Sequence, residues 1–253
     1  MTGGTLEKSP GDVRPSACAL ALALLVFIPL VYCTMFLDRD TATWLIEEEH
    51  PIEALGALSL LVASIACFLL WHHVRGDPRW PRLRRLSLLG FGALFFFGAG
   101  EEESWGQRIL GIQTPPGIAK ANAQHETNIH NLTALGALNT DKLFSFFWLL
   151  IGVVVPVLAL WRTPRRHLRR FLPILPVAFA GLFVLNQALF NGFLAFFTHN
   201  PQLYQSKFPL VFSLVEIKEK MAELLLAAGF VFVLLRWRAQ RPPADPTAFP
   251  GVA

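Results

Sequence analysis

The sequence is short both of the residues that cover soluble domains and of those that staple small ones. Charged residues fill only 16% of its 253 positions, against about a quarter in an ordinary soluble domain. Too few charges remain to coat a globule in water, so that class is excluded. Cysteine is scarcer still: Cys18, Cys33 and Cys67 lie inside apolar runs with no Cys-x-x-Cys spacing, which excludes a disulfide framework and a thiolate metal site. There is no internal repeat and no low-complexity tract. No small-x-small cleavage site follows the first apolar run, so residues 17–36 are expected to stay as a first membrane span rather than leave as a secretory signal.

What the chain has instead is apolar bulk in long blocks. Hydrophobic residues make up 53%, with 22 Phe and 7 Trp, and the mean hydropathy is +0.45. A membrane-spanning helix needs about 20 mostly apolar residues. Six segments qualify, at 17–36, 52–71, 86–107, 143–161, 171–197 and 208–236. The expected fold is an all-α polytopic membrane bundle of about six helices spanning 17–237. A cytoplasmic N-terminal segment, 1–16, precedes it, and a tail, 238–253, with the composition of disorder (Pro242-Pro243-Ala244-Asp245-Pro246), follows. The connectors are short except for 110–142, a polar stretch opened by Thr114-Pro115-Pro116-Gly117 and expected to be a folded extracytoplasmic loop.

The net charge of +4 and a pI near 9.2 are compatible with nucleic acid until the charges are placed. Of the 22 Lys and Arg, 15 fall in the N-terminal segment, the loops 72–85 and 162–170 and the C-terminal stretch from Arg236 onward, whereas 5 fall in the alternate loops. This bias predicts that both termini face the cytoplasm, in an inner membrane. The arginines are then topology anchors touching anionic lipid, and membrane lipid rather than nucleic acid is the expected partner.

Acids segregate the other way, with 14 of 18 on or near the extracytoplasmic side. Asp38, Asp40 and Asp141 are loop residues and need no further account. Those inside spans do, because an ionised group there costs several kcal/mol unless paired, hydrated or metal-bound. The third span ends Gly100-Glu101-Glu102-Glu103-Ser104-Trp105-Gly106-Gln107-Arg108. A continuous helix would put Glu101, Trp105 and Arg108 on one face. The long loop contains Asn122-Ala-Gln-His125-Glu126-Thr-Asn-Ile-His130-Asn131; if it is helical, Glu126 and His130 stand one turn apart, a spacing suited to a shared metal or to a base with its orienting partner. The sixth span opens with Glu216, Lys218, Glu219, Lys220 and Glu223, of which Glu216, Lys220 and Glu223 share a face. Asn186, Gln187, Asn191 and His199 of the fifth span and Glu53 of the second add polar groups toward the same side.

The two blocks just quoted resemble a family of bacterial multi-pass membrane proteins that carry Gly-Glu-Glu-x-Ser-Trp-Gly-Gln-Arg followed by Asn-x-Gln-x-Glu-Thr-Asn-x-His-Asn, a match of about 20 residues. That resemblance implies membership and brings no activity with it. A looser similarity, to seven-helix metal-dependent lipid amidases of the alkaline ceramidase type, is an analogy only, since their paired C-terminal His and extra helix are missing here.

Three functions compete. In a membrane enzyme of hydrolase type acting on a lipid or lipid-linked substrate, the catalytic candidates are Glu101, Glu102, Arg108, Glu126, His130, Glu216 and Glu223. Glu102, Glu126 and His130 would be ligands to a divalent Zn, Mn or Fe. A metal-free version would use Glu and His130 as acid and base with Arg108 clamping an anion. In a proton-coupled carrier, Glu216 and Glu223 would titrate. In a structural subunit of a membrane complex, the charges would only pair.

Overall fold

The computed structural model describes residues 13–46, 51–122, 125–129, 132, 140–206 and 208–240. His130, Glu47, Glu48 and Glu49, and residues 1–12 and 241–253 of the expected terminal segments 1–16 and 238–253, lie outside the described residues. Among the described residues eleven α-helices follow in chain order: α1 (Val13–Cys33), α2 (Arg39–Ile46), α3 (Pro51–Val74), α4 (Arg82–Glu102), α5 (Gln107–Leu110), α6 (Pro116–Ala121), α7 (Thr140–Trp148), α8 (Val155–Leu158), α9 (Arg162–Phe171), α10 (Val177–His199) and α11 (Leu210–Ala239). Among the described residues there is no strand, only an isolated bridge between Asn122 and Leu132.

Four stretches, Ala19–Phe36, Arg39–Val74, Arg82–Glu102 and Val177–His199, are long and apolar enough to cross a membrane. They overlap the first, second, third and fifth of the six expected spans. The expected fourth is the apolar but shorter stretch Lys142–Leu158. The expected sixth overlaps α11, whose 30 residues are ample in length but whose early turns carry five charges.

Helix boundaries differ from the expected ones for local reasons. The fifth span starts at Val177 rather than residue 171, because Pro173 and Pro176 cannot donate to a helical ladder and α9 has already ended at Phe171. Between α7 and α8 the rod continues through a π-helical turn, Leu149–Val154. Pro156, one turn on, has no N–H to offer the preceding carbonyls, and the ladder slips by one residue there.

Side-chain pairs give the directions of the rods. Ser64 Oγ of α3 donates to the Gly92 carbonyl of α4 at 2.8 Å, and Leu60 abuts Gly98, so these helices are antiparallel. Gly56 of α3 faces Lys220 and Glu223 of α11, while His73 stacks on Trp237; α3 and α11 therefore run parallel. Asn186 of α10 donates to the Lys218 carbonyl at 2.8 Å, and Leu175 meets Gly229, an antiparallel crossing. Tyr32 of α1 closes the set by donating to Asn186 Oδ1 at 2.9 Å. Phe91, Phe95, Phe147 and Phe230 fill the space between α4, α7 and α11 with centroids 5.3–6.1 Å apart. In lipid no hydrophobic force drives helices together, so this interlocking of rings and the few interhelical hydrogen bonds must hold the bundle.

The directions sort the charges by end. The C-terminus of α4 and the first turns of α11 meet at an acid-bearing end. The start of α4, helix α9 and the last turn of α11 gather Arg82, Arg84, Arg165, Arg169 and Arg236 at the opposite, arginine-bearing end.

Candidate functional site

Helix α4 does not run on to Arg108. It stops at Glu102, and three successive residues take left-handed backbone, Ser104 at φ 43°, Trp105 at φ 58° and Gly106 at φ 72°. The expected face of Glu101, Trp105 and Arg108 on one continuous helix is thereby corrected. Left-handed φ is costly for Ser and Trp, and compensation comes from Gly100. A Cβ at Gly100 would lie 2.8 Å from the Trp105 ring, so only glycine lets the indole fold back onto α4. There Trp105 Nε1 donates to Glu101 Oε1 at 2.7 Å, and the Phe97 ring meets the indole edge-on. Glu101 and Trp105 do interact, through a reversed turn rather than a helical one.

That reversal sets the second sequence block against the first. The backbone N–H of Ile129 donates to Glu101 Oε2 at 2.5 Å. Ser104 Oγ donates to Glu126 Oε2 at 2.5 Å and accepts from Asn128 Nδ2 at 3.1 Å, and the same amide reaches Glu126 Oε2 at 3.0 Å. Asn122 Nδ2 holds Asn128 by its carbonyl and its Oδ1 at 2.8 and 2.7 Å. Thr127 donates to Gln107 Oε1 through both its N–H and its hydroxyl, at 2.8 and 2.5 Å. Glu101, Ser104, Asn122 and Asn128 are all buried. Glu126 lies in a bend, not in a helix, with His125 beside it at φ 60°, so the helical premise for pairing Glu126 with His130 does not hold. Arg108 lies in α5, and its side chain is outside the described residues.

Glu102, the next residue, turns the other way. Its Oε2 pairs with the Lys220 ammonium of α11, which also stands 4.0 Å from Glu216 and 3.8 Å from Glu223. The shared face expected for Glu216, Lys220 and Glu223 is present, and α4 adds a third carboxylate to it. Lys220 and Glu223 are almost fully buried. Gly56 of α3 makes room for them, because any Cβ there would collide with both side chains. On the adjacent face Lys218 donates to Ser145 at 3.1 Å, lies 3.7 Å from Glu219 and sits over the Phe190 ring.

Two adjacent residues, Glu101 and Glu102, thus anchor two different groups, one in the loop and one in the bundle. Glu102 and Glu126, expected in one metal site, belong to separate groups. Among the described residues, no three His, Cys, Asp or Glu side chains are grouped to hold a metal ion. The polar residues of α10 do not converge on either group as expected. Gln187 and Asn191 bond each other at 3.1 Å on the outer face, His199 caps its own helix through Ala195, and only Asn186 points inward. Ser104, Asn122, Asn128 and Gln107 were not singled out in the sequence; the signal was the density of small polar residues in two blocks that are otherwise far apart. Comparison of the chain with protein-family models, with curated proteins and with solved structures found no match.

Proposed function

We propose that this chain is a polytopic membrane enzyme of hydrolase type, working at its acid-bearing end on a lipid or lipid-linked substrate. The observation that carries the reading is Ser104. Its hydroxyl, held in left-handed backbone, donates to a carboxylate and accepts from an amide. Strained backbone persists where the surroundings over-determine it, and such places cluster at working sites. A hydroxyl hydrogen-bonded to a carboxylate base is the arrangement that nucleophilic catalysis uses. In this reading Glu126 takes the proton, Asn128 orients the pair, Glu101 holds the loop down and Arg108 clamps an anionic group. Where a Zn, Mn or Fe ion takes part, Glu126 and His130 would be its ligands, and the ion would supply an activated water. In the test, purified protein is given fluorogenic lipid esters, amides and phosphoesters, and its metal content is measured beside His130→Ala. Activity lost about 10²-fold or more in Ser104→Ala and Glu126→Gln, with unchanged melting, supports the reading; a wild type inert toward all three substrate classes overturns it.

A proton-coupled carrier is the second reading, favoured by the acid surplus. Three carboxylates, Glu102, Glu216 and Glu223, stand within 4.0 Å of the one buried Lys220 ammonium. Excess acids in a low-dielectric setting hold protons or cations. Uptake into vesicles driven by a pH gradient, lost in Glu223→Gln, would favour it.

We further propose six spans, membership of the bacterial multi-pass family carrying the two blocks, and an inner-membrane orientation with both termini cytoplasmic. The lysine and arginine bias supports that orientation and puts the acid-bearing end outside. A reporter fused to the C-terminus is expected to be active only in its cytoplasmic form; activity of the exported form would reverse the orientation.

A further inference from the structure

The arginine-bearing end differs from the acid-bearing end in one respect: apart from the Arg79–Asp77 pair, four of its arginines meet with no partner of the opposite sign among the described residues. Arg84 of α4 lies within electrostatic reach of Arg169 of α9, and Arg169 within reach of Arg165 and of Arg236 of α11. Among the described residues, none of the four has a carboxylate partner. Asp77, the nearby acid in the α3–α4 turn, is engaged by Arg79 at 2.7 Å. The Arg84 guanidinium lies over the buried Trp80 ring, 3.7 Å from its centroid, and its Nε is buried without a hydrogen-bond acceptor among the described residues. Partial burial and then the charges of Arg165 and Arg236 hold the Arg169 guanidinium below its ordinary value.

Orientation in a membrane needs arginines on one side but does not require three helices to bring them together. Like charges drawn into one place, one of them stacked and with a buried donor unmet, are stable when an anion sits among them. Planar guanidinium forks match the oxygens of a phosphate. We propose that Arg84, Arg165, Arg169 and Arg236 form a discrete binding site for a phosphate group, carried by an anionic phospholipid headgroup or by a soluble phosphate. The site is separate from the acid-bearing end and stands whether or not the enzyme reading does.

The test uses the full chain in detergent, with native mass spectrometry and thermal unfolding as readouts. Phosphatidylglycerol, phosphate-free diacylglycerol and inorganic phosphate are added in turn. Phosphatidylglycerol is expected to remain bound and to raise the unfolding temperature, while diacylglycerol does neither. Arg169→Gln with Arg236→Gln, both on the surface, should weaken that binding about tenfold or more. Arg166→Gln with Arg170→Gln removes the same charge about 100° around α9 and should leave it intact. Protection by inorganic phosphate alone supports the site and names a soluble source; protection by the lipid alone supports it and names the headgroup. Equal loss in the two double variants, equal protection by diacylglycerol, or no effect of either phosphate on the wild type overturns the proposal.

Discussion

Lys220→Met is expected to be the most destabilising single substitution in the bundle, lowering stability by ~3–5 kcal/mol, the usual cost of removing one partner of a buried ion pair. The side chain is isosteric enough to fill its space between Gly56 and α4, so the loss reports charge rather than volume. Without the ammonium, Glu102, Glu216 and Glu223 face each other around a buried centre. Adding Glu102→Gln, Glu216→Gln and Glu223→Gln to Lys220→Met removes all three stranded charges and should recover most of the loss. Glu223→Gln alone leaves Glu102 and Glu216 to balance Lys220 and should cost far less. Denaturant unfolding in detergent measures all three. Wild-type stability in Lys220→Met would mean that water, not the ammonium, solvates the carboxylates, and the buried-pair account would fail. Glu223→Gln also separates two roles: folded protein with transport abolished assigns the acid to a proton carrier, whereas unchanged activity leaves it as ballast for Lys220.

The second large effect is expected at Glu101. Its two carboxylate oxygens accept from Trp105 Nε1 and from the backbone N–H of Ile129, donors that an alanine would leave unmet. Hydrogen bonds to a charged group contribute about 1.5–3 kcal/mol each, and here they hold a strained turn. Glu101→Ala should release the 104–129 segment from α4 with the helices still folded. Limited proteolysis and amide exchange would register faster cleavage and exchange within that segment and little change in α10. Protection equal to wild type would show that the Ser104, Gln107 and Asn122 contacts suffice to hold the segment without Glu101. Glu101→Gln should fall between, since its amide can accept from one donor but presents N–H groups to the other.

Apolar block length revealed the helices because a span is a local property: about 20 residues of one character at a fixed rise per residue. For the same reason the face of Glu216, Lys220 and Glu223 was readable, as all three lie on one uninterrupted helix. The turn after Glu102 was not. Glu103, Ser104 and Trp105 have no strong local bar to helix, and what breaks it is the seat that Gly100 offers the indole together with the docking of residues some 20 positions later. Likewise, nothing in the spacing of Gln187 and Asn191 said that they face outward while Asn186 faces Tyr32; helix rotation is set by neighbours.

By itself, then, the order of residues determined that the chain is helical and carries membrane-length apolar segments, of which it predicted six where four are long and apolar enough to cross, and that acids and arginines separate to opposite ends, because each of these depends on composition within a short window. Tertiary structure alone decided that Glu101 and Glu102, adjacent in sequence, serve different groups, that Lys220 takes a third carboxylate from α4, and that Ser104 meets Glu126 and Asn128. The physical reason is that a carboxylate's partner is chosen by which donor arrives within hydrogen-bond distance, and donors from α11 and from the 122–129 segment arrive only when the helices pack.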